Sequence, residues 1–93
     1  MKLRLTTRAY GDLTNIANYI EKESPAAARR VIQRIEQTLT LIQTAPMIGR
    51  KSARPDTHEF PVTGLPLLVV YRLTGDTVEV LTIFHTAQNP DKK

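Results

Sequence analysis

The sequence contains no cysteine. That absence excludes disulfide scaffolds, thiolate metal sites and cysteine nucleophiles, and it suits a reducing cytosol. No segment is apolar for long enough to span a membrane. The start, Met1-Lys2-Leu3-Arg4, lacks the apolar core of a signal peptide. No repeat, low-complexity tract or glycine-rich phosphate loop is present. Two histidines without a helical His pair do not make a metal-ligand set. A soluble, cytoplasmic protein without metal, cofactor or membrane is therefore expected.

What is present is small and basic. The 93 residues fit a single domain, 1–93. A domain of this size has little room for both a core and an elaborate cleft. Its function should use an open surface or a bound partner. Thirteen Lys and Arg against nine Asp and Glu leave a net charge of +4. Such a field favours polyanions (nucleic acid, ribosome or an acidic protein), although many soluble domains carry it without one.

Local signals divide the chain. Lys2 to Thr6 alternates polar and apolar residues, as a half-buried strand does. Thr6-Thr7 offers a helix cap. Ala9, Leu13, Ile16, Ala17 and Ile20 then recur at helical spacing, to an end near Lys22 to Ser24. Ser24-Pro25 is a second start signal, a capping serine before a proline suited to the first helical turn. Ala28, Val31, Ile32, Ile35, Leu39 and Ile42 form the apolar stripe of that helix, which Pro46 and Gly49 stop. The short junction predicts an antiparallel helical hairpin.

The second half reads as strands. Arg50 to Asp56 is polar, basic and read as a loop. His58 to Val62 is a candidate strand, limited by Pro61 to an edge or an irregular course. Leu67 to Tyr71 is apolar on both faces, as in a central strand. Thr74 to Thr77 is a turn before a last strand, Val78 to His85. From about residue 86 the tail is polar. A two-residue turn at Gly75-Asp76 sets Leu73 against Val78, Arg72 against Glu79, Tyr71 against Val80, Val70 against Leu81 and Leu67 against Phe84. Continued without interruption, this register puts Leu67, Val69, Tyr71, Leu73, Val78, Val80 and Phe84 on one face. The other face receives Leu68, Val70, Arg72, Glu79, Leu81, Ile83 and His85. One helical hairpin covers one face only, so a partner is expected on Leu68, Val70, Leu81 and Ile83.

The order strand, helix, helix, three strands resembles the RelE/ParE toxin superfamily over nearly the whole chain, nearer its ParE-like branch. Ala9-Tyr10-Gly11-Asp12-Leu13 resembles its Ala-x-x-Asp-Leu opening, and Ser24-Pro25-Ala26-Ala27-Ala28 its inter-helix junction. Ala45-Pro46-Met47-Ile48-Gly49-Arg50 is similar to its Pro-x-x-Gly-Arg sequence. Val70-Tyr71-Arg72 and Ile83 to Gln88 look like its last two strands. The chain departs from many relatives in having His58 in place of arginine and Thr86 in place of glycine. The resemblance implies an α+β fold with one antiparallel sheet. It also implies the toxin of a type II toxin–antitoxin pair, held by a cognate antitoxin in a hetero-oligomer. Leu68, Val70, Leu81 and Ile83 would be its antitoxin-binding residues.

The target is then DNA gyrase, inhibited by binding, or mRNA at the ribosome, cleaved as RelE-like nucleases do. A third reading is a degenerate toxin that keeps only antitoxin binding. A nuclease would draw on His85, His58 and Arg72: two imidazoles for acid–base work and a guanidinium for phosphate. Each has a plainer role, His85 as a partner of the tail or the Arg50 loop and Arg72 as the ion-pair partner of Glu79. Tyr71 reads as a core aromatic whose hydroxyl reaches the surface. Arg50, Lys51 and Arg54 are either a contact for target or phosphate, or a solvated loop.

Overall fold

In a computed structural model, residues 1–86 are described. The polar tail and the Ala87-Gln88 end of the last motif lie outside them. Strand β1 spans Lys2–Leu5, helix α1 Thr7–Glu21 and helix α2 Pro25–Thr44. A 3-10 turn at Pro46–Ile48 leads to β2 (Arg50–Lys51), β3 (His58–Pro61), β4 (Leu67–Thr74) and β5 (Thr77–His85).

The helices begin where the side chains cap them. Thr6 accepts the Ala9 amide at 3.1 Å, and Ser24 accepts the Ala27 amide at 3.1 Å, each satisfying a first-turn N–H with no helical partner. Pro46, which cannot extend a helix, follows the Ala45 cap of α2. The helices form a hairpin whose apolar stripes meet the sheet. Ala9, Ile35, Leu39 and Ile42 are buried against Val69, Tyr71, Val78, Val80 and Ile83. Burying each of the larger aliphatics stabilises the fold by about 1.5–3 kcal/mol.

The sheet has five strands in the order β1-β5-β4-β3-β2. Strand β1 runs parallel beside β5, and the other neighbours are antiparallel. Two expectations are corrected here. Arg50 and Lys51 form a two-residue strand paired with Glu59 and His58, so four strands follow the helices. The hairpin register holds from the Gly75-Asp76 turn, with Gly75 at φ +60, up to Tyr71 opposite Val80. It then slips, and Val70 faces Thr82, Val69 faces Ile83, Leu68 faces Phe84 and Leu67 faces His85.

Leu81 is the extra residue of a β-bulge. A one-residue slip exchanges the faces of everything beyond it. Ile83 therefore turns to the helices and is fully buried, His85 joins it on that side, and Phe84 goes to the other face. The bulge is held by the start of α1. The Thr6 amide donates to Val80 O at 3.0 Å, and the Thr6 hydroxyl donates to Leu81 O at 3.0 Å. Asp12 accepts from the Thr82 hydroxyl at 2.5 Å and from the Ile83 amide at 3.1 Å.

Candidate functional site

The residues singled out for chemistry do not converge. His58 opens β3 opposite Tyr71, and the two rings stack with centroids 5.5 Å apart and planes 21° apart. His58 Nδ1 is buried without a hydrogen-bond partner among the described residues. His85 ends β5 opposite Leu67. Their partners on β4, Tyr71 and Leu67, lie four positions apart, about 13 Å of strand before the lateral spacing is added. The register thus sets the two histidines at separate positions of the sheet.

Arg72 lies on the opposite face of β4 from Tyr71. Its Nε donates to Glu79 Oε1 at 2.6 Å, as the register predicts. Glu79 is only 3% exposed and also accepts Nη2 of Arg4 from the neighbouring β1. A buried carboxylate needs such partners, since an unpaired one would be strongly penalised. Arg4 is a second partner of Glu79 that sequence reasoning missed. Its place beside Glu79 depends on the parallel pairing of chain ends 75 residues apart.

Tyr71 is wholly buried, and its hydroxyl does not reach the surface. It donates to Pro46 O at 2.8 Å and accepts from the Gly49 amide at 3.0 Å. Burial pushes the phenol pKa above its ordinary value, and the Gly49 hydrogen bond pulls against that rise. A Cβ on Gly49 would overlap the Tyr71 hydroxyl and stand 2.9 Å from Glu59 O. The Pro-x-x-Gly-Arg sequence is thus the backbone socket of a buried tyrosine.

The basic loop is only partly anchored. Arg50 Nε donates to Glu59 Oε1 at 2.9 Å, whereas Lys51 and Arg54 are exposed and make no ion pair among the described residues. Nor do the four aliphatics Leu68, Val70, Leu81 and Ile83 form one patch. Leu68 and Val70 share the face away from the helices but are 5% and 6% exposed. Leu81 occupies the bulge and Ile83 belongs to the core. An apolar cleft of about 470 Å³ lies between the helical hairpin and the start of β4. Ile16, Tyr19, Ile20, Val31, Leu65 and His85 are among its walls. Among the described residues no cluster of three His, Asp or Glu side chains gathers, and no helix is long and apolar enough to cross a membrane.

Comparison with known proteins settles the family. Residues 3–90 match the model of the ParE toxin of type II toxin–antitoxin systems, parDE. The chain belongs to this ParE toxin family. It is 37% identical over 87 residues to the Sinorhizobium fredii protein named "Putative toxin Y4kP", spanning 94% of this chain and 90% of that one. Its fold is similar to a chain of the chromosomal ParDE system from P. aeruginosa, with TM-score 0.83 and 25% identity over 91% of this chain and 95% of that one. The isolated E. coli RelE toxin shares the fold alone, with TM-score 0.69 and 15% identity over 98% of this chain and 89% of that one. This ParE-family chain is therefore the toxin type of component, on the RelE/ParE fold.

Proposed function

We propose that this ParE-family toxin acts by binding, inhibits DNA gyrase, and is neutralised by a cognate antitoxin. The observation that carries the reading is the dispersal of its chemical groups. A metal-free ribonuclease must set a base, an acid and a phosphate-binding cation around one bond. Here one imidazole stacks on a buried tyrosine, and the other lies about 13 Å away along the strand. The arginine sits on the opposite face, engaged by Glu79. An inhibitor needs only a complementary surface. The likeness to a chain of a ParDE system supports an antitoxin partner. The apolar cleft beside Tyr19, itself 73% exposed, gives such a partner something to cover.

Purified protein incubated with gyrase and relaxed plasmid should block supercoiling or trap cleaved DNA. Messenger RNA on programmed ribosomes should stay intact. Codon-dependent cleavage with gyrase unaffected would replace this reading with the RelE-like one. Silence in both assays, with antitoxin binding retained, would favour a toxin that has lost its target.

A further inference from the structure

Across the face turned away from the helices, neighbouring positions on three strands bring Arg4, Glu79 and Arg72 side by side. The carboxylate of Glu79 is buried, and its two oxygens are divided between the two guanidiniums. Those guanidinium side chains are 68% and 51% exposed. Each is bound to Glu79 through one nitrogen, so most of its five N–H donors remain directed elsewhere. Two cations on one anion leave a single positive charge over. The carboxylate beneath, on β5, fixes both forks, one on the edge strand β1 and one on β4, which lowers the entropy lost when a ligand is gripped.

We propose that Arg4 and Arg72 form a receptor for an acidic side chain of a protein partner. Under the reading above, that partner is the antitoxin. A second carboxylate set between the forks would neutralise the spare charge and could be held by paired N–H donors from each guanidinium. Protein rather than nucleic acid is favoured by the surrounding charges. Arg50 on the same face is taken up by Glu59, and Lys2 lies 3.9 Å from Asp76. A phosphate backbone needs several uncommitted cations in a row, and among the described residues the paired strand positions of this face leave one spare charge. Val70, two residues from Arg72 along β4, shares the face but is only 6% exposed, so the grip on a partner falls to the two guanidiniums.

The test is an NMR titration of the intact chain, following the Nε–Hε signals of Arg4 and Arg72. The probes are a blocked peptide alternating Glu and Val, its Gln counterpart, and a short oligothymidine. The Glu peptide should move both signals saturably, and the Gln peptide should not. Arg4→Gln leaves Glu79 paired with Arg72, so the fold should stand, but it removes the spare charge. Binding of the Glu peptide should then fall roughly ten-fold, and Arg4→Lys should restore part of it. Unmoved arginine signals, equal binding of the Gln peptide, or an unchanged Arg4→Gln variant would each overturn the proposal. Tighter binding of oligothymidine at these arginines would transfer the site to nucleic acid and overturn it too. The titration involves neither gyrase nor ribosome, so its failure is separable from failure of the toxin reading.

Discussion

Replacing Tyr71 by Phe removes one oxygen atom and keeps the ring. That oxygen joins two backbone groups from the segment after α2: it donates to Pro46 O and accepts from the Gly49 amide. Gly49 is buried, so its N–H would lose its partner without gaining water, a loss of about 1–3 kcal/mol. Pro46 O is only partly enclosed and can be rehydrated, so its share is smaller. A total near 2 kcal/mol follows, which for a domain of this size lowers the melting temperature by roughly 10 °C. Thermal melts followed by circular dichroism would measure it, and hydrogen exchange at the Gly49 amide would locate it. A variant that melts within a degree or two of the parent, with Gly49 protection unchanged, would refute the socket. Gly49→Ala supplies an independent check, because its methyl would overlap the same hydroxyl. It should cost less in the Tyr71→Phe background, by about 1 kcal/mol, since groups in contact do not act additively. The rescue stays partial because Glu59 O remains 2.9 Å from the new Cβ.

Three further outcomes follow from the same contacts. Because burial raises the Tyr71 pKa above 10.0, the unfolded chain ionises first: this contribution is complete below about pH 10 and is lost as pH climbs through the folded value, so urea midpoints should fall there in the parent and less in Tyr71→Phe. Asp12→Ala deprives Thr82 and the Ile83 amide of a charged acceptor and should cost about 2–3 kcal/mol, with exchange at Ile83 accelerated; unchanged exchange would mean that Asp12 does not hold the bulge. Ile35→Asp places a charge at a position with 0% exposure and should cost several kcal/mol, on the order of the whole stability margin, and a parent-like melt would disprove the proposed α2 stripe.

The two helices, their caps and the turn at Gly75-Asp76 were legible in the sequence. Each is specified by residues a few positions apart: Thr6 with Ala9, Ser24 with Ala27, the apolar stripe of α2, and the glycine of the hairpin turn. The family pattern was legible for the same reason, as short motifs in order. What each motif does was not. Asp12 reads locally as an early-helix acid, yet its partners Thr82 and Ile83 are 70 and 71 residues away. Gly49 reads as a helix stop, yet it makes room for a tyrosine 22 residues on. Only the tertiary structure determined the bulge at Leu81, because that extra residue is held by Thr6 and Asp12 from the other end of the chain. The slip sends Ile83 into the core and separates it from Leu68 and Val70. The parallel docking of β1 likewise gives Glu79 its second arginine. Periodicity within a strand says which residues alternate; which face each one meets depends on pairings that no local spacing encodes.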